Sequence, residues 1–248
     1  MNRAIRAGTV GGRTLAAHGT DVMLVNSPHL PNIESIIETS RGKLSAHVDL
    51  TSDAGRASLR ALLSQADVMV QGYRPGGLAA RGFGPEDAAR LRPGIVYISL
   101  SAYGHTGPWA GRRGFDSLVQ TATGFNDAEM LAAGENKPKP MPVQILDYAS
   151  GFLMAFAAQA ALLRQAREGG SWHVRVSLAR TGLWLRSLGR VEQGFAQAMP
   201  VVDDALETTA SGWGELTAVR HAANLSGVPG GWQRPSVKPG THAPRWPA

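Results

Sequence analysis

TSDAGRASLRALLSQADVMVQGYRPGG, residues 51–77, carries the argument for the fold. Thr51-Ser52-Asp53 offers side-chain oxygens that can accept the first N–H groups of a helix. That helix is expected to run to about Gln65, with Ala57, Leu59, Ala61, Leu62 and Leu63 on its inner face. Asp67-Val68-Met69-Val70 is apolar and too short for a helix, so it reads as a strand. The turn Gly72-Tyr73-Arg74-Pro75-Gly76-Gly77 follows at once.

The same alternation extends outward. Pro85–Leu91 reads as a short helix with proline in its first turn, and Ile95–Leu100 as the next strand. Upstream, Gly12–Ala17 is a helix ended by Gly19, Val22–Val25 is a strand, 26–42 is a polar loop, and His47–Leu50 is a further strand. Downstream, the Gly, Pro and Trp residues of 104–114 suggest an ordered loop over a site. Phe115–Gly124 reads as a helix and 126–140 as a surface excursion. Asp147–Glu168, rich in Ala, Leu and Met, is the strongest helix in the chain and is stopped by Gly169-Gly170. Trp172–Leu178 alternates as a strand, and a helix is expected from Ala179 to about Phe195. A linker over 196–212, a last helix over Glu215–Leu225 and a Gly/Pro-rich surface tail complete the reading. Strands and helices in alternation with short joints predict a parallel sheet covered by helices.

The chain has 248 residues, of which 43% are hydrophobic and 18% charged, enough apolar material for one packed α/β core. It contains no cysteine, which excludes disulfides, thiolate zinc sites and a cysteine nucleophile. A reducing, cytoplasmic setting fits that composition, and a chain without cysteine is also compatible with export. Met1–Val10 has two arginines but no apolar run behind them, so no signal peptide is expected. The longest apolar stretch, Phe152–Leu163, spans 12 residues where a bilayer crossing needs about 20, so no membrane partner is expected. A net charge of +6 suits an anionic ligand. The basic residues are scattered and not interleaved with aromatics, which argues against nucleic acid.

Several site chemistries are disfavoured. Gly8-Thr9-Val10-Gly11-Gly12 lacks dinucleotide-binding spacing, and there is no phosphate-binding G-x-x-x-x-G-K-[ST]. The histidines form no paired ligand motif, so no metal is expected, and no G-x-S-x-G elbow occurs. The turn Gly72–Gly77 stands at the carboxyl end of a strand, where open sheets bind ligands, with Arg74 and Arg81 as positive charge for phosphates. On spacing alone an ordinary turn with solvated arginines is the commoner reading. Asp147, after Pro142-Val143-Gln144-Ile145-Leu146, also has two readings. It is either the cap of its own helix or a nucleophile kept ionised by the helix end. The residues alone favour the cap.

An ordered set of stretches resembles the class III CoA-transferase family, the CaiB/BaiF group with its formyl-CoA transferase-like and 2-methylacyl-CoA racemase-like members. The set comprises Ala7-Gly8, Gly12–Ala16 and Gly19–Val22; Arg41–Ser45 with Asp49-Leu50; Ala66–Val68 with Tyr73–Gly76; Gly82–Gly84; and Arg92–Tyr97. It continues with Tyr103-Gly104, Gly107-Pro108, Gly114–Asp116, Asp147–Gly151 and the closing Gly240-Thr241-His242. The resemblance implies an open Rossmann-like parallel sheet flanked by helices, a CoA-binding domain over 1–195 and a remainder over 196–248. It implies interlocked homodimers, or a partner chain. Asp147 matches the family's nucleophile, and Lys43 and Gly72-Tyr73-Arg74 match positions near CoA. The implied activity is transfer of coenzyme A between an acyl-CoA and a carboxylic acid, both substrates, with no tightly bound cofactor.

The departures are specific. Phe115 stands where racemases carry histidine, which disfavours the racemase alternative; His105 is a substitute that the sequence does not place. Arg6 stands at a Gln position of the formyl-CoA transferase-like members and Thr9 at a usual Pro. The family's first strand is expected to be absent or degenerate, and its small second domain reduced or missing. These gaps leave open a non-catalytic CoA-binding subunit.

Overall fold

Arg3–Arg6 (β1), Asp21–Asn26 (β2), Lys43–His47 (β3), Val68–Gln71 (β4), Val96–Ser101 (β5) and Trp172–Ser177 (β6) form one sheet in the computed structural model. All neighbours in it are parallel, in the order β3-β2-β1-β4-β5-β6. The helices are Val10–Ala17 (α1), Ile36–Thr39 (α2), Asp53–Leu63 (α3), Pro85–Leu91 (α4), Asp116–Ala122 (α5), Phe125–Ala133 (α6), Ile145–Glu168 (α7) and Leu178–Ser187 (α8). An antiparallel hairpin follows, Leu206–Ser211 (β7) and Gly214–Val219 (β8). The structure describes residues 3–6, 10–223, 225–228 and 230–247. Ala7, Gly8 and Thr9 of the sequence resemblance lie outside the described residues, as does the Arg6 side chain.

Alternate residues of the central strands face opposite layers, as the pleat requires. Met23, Met69 and Tyr97 pack with Leu59, Leu62 and Phe83 on one side. Val22, Val68, Val70 and Ile98 pack with Leu15, Met154 and Ala158 on the other. Both faces are thus buried, which is why these strands read as unbroken apolar runs. The α3 start follows its sequence signal: the Gly55 N–H donates to Ser52 Oγ at 3.0 Å.

In α7, the buried residues Leu146, Ser150, Met154 and Ala158 recur every four positions, one stripe laid on the sheet. Gly151 lets α1 touch that stripe, because a Cβ there would stand 2.6 Å from Val10 Cβ and 3.1 Å from the Gly11 nitrogen. Gly151→Ala is therefore expected to cost about 1–3 kcal/mol through overpacking. In urea this reads as a lower midpoint at unchanged m-value.

Five expectations are corrected. The first strand is present: β1 lies between β2 and β4, and Arg3 and Asp67 exchange hydrogen bonds through Arg3 N to Asp67 Oδ2 and Asp67 N to Arg3 O, both 2.9 Å. The strand expected at His47–Leu50 lies earlier, at Lys43–His47, since polar Lys43 and Ser45 are themselves buried. The 126–140 excursion contains α6. The helix expected over Glu215–Leu225, and part of the preceding linker, is the β7–β8 hairpin, with Thr208 Oγ1 2.8 Å from Thr217 Oγ1 across the pair. The tail is packed in rather than laid over the surface: Trp246 is buried, its indole N–H donating to the Leu62 carbonyl at 3.0 Å. The hairpin is docked by buried Arg41, which reaches Glu207 Oε1 at 3.1 Å and the Val219 carbonyl at 2.9 Å.

Candidate active site

The strand order reverses direction between β1 and β4, the point at which an open α/β sheet leaves a crevice beyond its carboxyl ends. Two adjoining cavities occupy that end. One, of about 490 Å³, lies beyond β2, β3 and β4 and is lined by Asn26, Asp49, Gln71, Tyr73, Arg74 and Arg81 among others. The other, of about 370 Å³, lies between the turn after β4 and the loop after β5. Gly72, Tyr73 and Arg74 of the turn, Arg112, Arg113 and Phe115 of the loop, and Asp147 and Met154 of α7 all line it. Val70, Gln71, Tyr73 and Arg74 border both cavities.

Asp147 is the third residue of α7, not its cap; Gln144 precedes the first turn and makes no side-chain cap bond. The cap comes from 31 residues upstream. Asp116, the first residue of α5, is wholly buried, and its Oδ2 accepts the Asp147 N–H at 2.8 Å. Its Oδ1 accepts the Gln120 amide, which also donates to the Val143 carbonyl at 3.2 Å. Asp116 thus satisfies an orphan donor of α7. It also withdraws the Asp147 N–H from the backbone donors that can hold an oxyanion. Among the described residues the Asp147 carboxylate itself accepts no hydrogen bond, so it faces the cavity without being used by its own helix.

Burial, and then the neighbouring Asp116, push the Asp147 carboxyl up to about 6 from its ordinary 3.8. The ionised, nucleophilic form therefore fills as pH rises through about 6. Because the folded value lies above the unfolded one, this group favours folding at low pH, and that contribution is lost as pH rises from about 4 through about 6. The Asp147 carboxyl carbon, followed by carbon NMR, is expected to titrate near 6; a midpoint near 4 would refute the electrostatic account.

The loop after β5 is held by its aromatics. Trp109 meets Tyr103 edge-on at 5.0 Å between centroids, and the Arg112 guanidinium lies 4.5 Å from the Trp109 centroid. Gly114 ends the loop where no side chain fits: a Cβ would be 2.6 Å from Ala102 Cβ and 2.9 Å from Val119 Cγ2.

The structure brings together Asp147, Gly72, Tyr73 and Arg74 in one cavity, and Tyr73, Arg74 and Arg81 in its neighbour. Arg81 donates to the Gly77 carbonyl at 2.9 Å, which ties it to the turn. Lys43 is not brought there. It is buried at the amino end of β3, whereas the cavities lie beyond the carboxyl ends. His105 does not line the Asp147 cavity; it lines a neighbouring 140 Å³ recess with Ser99 and His173, which shares Tyr73, Arg74 and Leu100 with that cavity, and a second site by Trp184. Asp116, Arg112 and Arg113 escaped the sequence reading as site residues. The Gly-Phe-Asp stretch marked the place of Asp116 but gave no spacing relation to Asp147.

Comparison with known proteins agrees with this architecture. The model of CoA-transferase family III matches residues 3–213. A probable fatty acyl-CoA transferase of Mycobacterium tuberculosis, Rv3272, is 31% identical over 195 residues, 73% of this chain and 49% of that protein. A succinate–glutarate CoA-transferase of Agrobacterium fabrum is 33% identical over 195 residues, 70% of this chain and 48% of that protein. This chain thus spans about half the length of these two relatives. In structure, an orthorhombic crystal form of Rv3272 superposes with a TM-score of 0.83 at 23% identity, covering 97% of this chain and 96% of that one. A CAIB/BAIF family protein from Brucella suis superposes with a TM-score of 0.63 at 25% identity, covering 87% and 64%. With a family model matched along most of its length and that family's sheet in its core, the chain belongs to CoA-transferase family III.

Proposed function

We propose that this chain transfers coenzyme A between an acyl-CoA and a carboxylic acid, with Asp147 as the nucleophile. The observation that carries the reading is a cavity-facing carboxylate whose own helix end is capped by another residue. An ionised Asp147 oxygen attacks the thioester carbonyl; the C–S bond breaks, CoA leaves as thiolate, and a mixed anhydride forms. The thiolate attacks the aspartyl carbonyl, releasing the donor acid as carboxylate and leaving an aspartyl–CoA thioester. The acceptor carboxylate attacks that thioester, expelling thiolate and forming a second anhydride. Thiolate attack on its acyl carbonyl yields the new acyl-CoA and restores Asp147. Gly72, Tyr73, Arg74 and Arg81 line the two adjoining cavities and suit the pyrophosphate and adjacent parts of CoA. Residues 1–195 form the CoA-binding part in this reading, and a second copy or partner chain completes the assembly.

Racemization has less support. Phe115, not histidine, lines the Asp147 cavity, and His105 lines the neighbouring recess rather than that cavity. A second reading is a non-catalytic CoA-binding subunit, favoured by the Asp147 N–H, a donor that could hold an oxyanion, being taken by Asp116. Hydroxylamine separates the two. With acyl-CoA present, Asp147 is expected to be trapped as a hydroxamate, seen by peptide mass spectrometry. CoA binding without any trapping across acyl-CoAs would favour the subunit.

A further inference from the structure

A second cluster of reactive groups lies outside the Asp147 cavity. β5 and β6 are parallel neighbours, with Tyr97 in register with His173 and Ser99 with Arg175. Ser99 Oγ lies 2.9 Å from His173 Nε2. Both residues, with Tyr97, Ser101 and His105, line a recess of about 140 Å³. Most serine hydroxyls in a folded chain bond to backbone or water. Ser101, two residues further along β5, does so, donating to the Val176 carbonyl at 3.5 Å. Ser99 is only 5% exposed, and among the described residues its hydroxyl meets a histidine and no carbonyl.

The imidazole is held in place. Tyr97 meets the His173 ring edge-on, at 5.5 Å between centroids, and its own hydroxyl donates to the Phe83 carbonyl at 2.9 Å. In the tautomer with its proton on Nδ1, His173 accepts the Ser99 O–H, the geometry that activates a hydroxyl nucleophile. Burial, then Arg175 and His105, hold His173 below its ordinary 6.5, against the pull of Glu86, so near pH 7 it is a neutral base. Gln71 of β4 is in register with Ser99 and lines the same recess. Its Oε1 accepts the Tyr73 N–H at 3.0 Å, while its amide N–H groups donate to no described residue and are free to meet an oxyanion. No elbow motif marks Ser99; strand register alone assembles the group.

We propose that Ser99 and His173 are the nucleophile and base of a second acyl-transfer site, which hydrolyses esters and thioesters of small carboxylic acids. Ser99 Oγ attacks the acyl carbon while its proton passes to His173 Nε2. The bond from that carbon to the leaving oxygen or sulfur breaks, and the imidazolium protonates the leaving group. Water then attacks the acyl-serine, giving one proton to His173 and releasing the acid as Ser99 recovers its hydrogen. The site goes beyond the transferase reading and does not rest on it, since Asp147 lines the adjoining cavity and not this recess.

The test uses the whole chain and two small probes, p-nitrophenyl acetate and methanesulfonyl fluoride. After acid quench, peptide mass spectrometry of the wild type is expected to find the acetyl and methanesulfonyl groups on Ser99. Ser99→Ala and His173→Ala should lower kcat/KM for p-nitrophenol release by about a hundredfold or more. His173→Gln should lose as much, although its amide can keep a hydrogen bond to Ser99; a pair that only joins two strands would tolerate it. Labels on His173, Asp147 or any other residue but not on Ser99 overturn the proposal, as does the absence of labelling. Full hydrolysis in Ser99→Ala with loss in Asp147→Asn also overturns it, because the aspartate would then be the nucleophile. Thermal midpoints identify the variants that fold, and the wild-type labelling decides the matter even if none does.

Discussion

Asp147→Asn is expected to lower kcat for CoA exchange by about ten-thousand-fold or more, with the dissociation constant for CoA held within about twofold. The amide is nearly isosteric but cannot supply the attacking oxygen, and the arginines and turn that border the cavity are untouched. The same substitution is expected to raise thermal stability at pH 8. The wild-type carboxylate is half-buried, beside the buried Asp116, and accepts no hydrogen bond among the described residues, so its ionised form is held at a cost to folding. Exchange kinetics, isothermal titration with CoA and a thermal melt check the three parts. Retained turnover would end the nucleophile assignment, and a lowered melting temperature would contradict the strain argument.

The second large effect is at Asp116. Asp116→Ala is expected to destabilise the fold by about 3 kcal/mol or more, because it strips a charged acceptor from the Asp147 N–H and the Gln120 amide inside the core. For a chain of this size that is roughly 6–12 °C in melting temperature. Asp116→Asn keeps the volume and separates the electrostatic role from the structural one. With the neighbouring charge removed, the Asp147 carboxyl should ionise at lower pH, and the acid limb of the exchange profile should move the same way. An acid limb left in place by Asp116→Asn would show that burial alone sets the Asp147 carboxyl.

Where the chain folds by local rules, its sequence was readable. The helix Pro85–Leu91 was expected at the observed bounds, because proline opens it and Arg92-Pro93-Gly94 closes it. The strands β4 and β5 were found to within a residue as apolar runs between turn signals. Elements fixed by distant partners were not readable. β1 has only four residues, two of them arginine, and owes its existence to β2 and β4 on either side. β3 was misplaced because buried Lys43 and Ser45 look like surface residues until their surroundings are known. β8 falls within the stretch expected to be helical, because its pairing partner β7, with Thr208 opposite Thr217, lies in what reads as a linker. The site divided in the same way. Asp147 stood out at a helix start, but its capping role passed to Asp116, and no periodicity links residues 31 apart. Arg112 and Arg113 read as ordinary loop arginines until the fold brings them to the cavity that Asp147 lines.

β3 is the outer strand of the sheet, and the closing Gly240-Thr241-His242 lies along it. His242 N donates to the Ser45 carbonyl at 2.7 Å, and Ser45 N donates to His242 Nδ1 at 3.1 Å, a partner 197 residues away. On a ribosome adding about 5–20 residues per second, that strand waits roughly 10–40 s for its cover. Throughout the wait its unpaired backbone is a template for neighbouring nascent chains. Residues translated long after the strand they cover thus act as the molecule's own safeguard against aggregation, and yield in the cell should depend on how quickly they arrive.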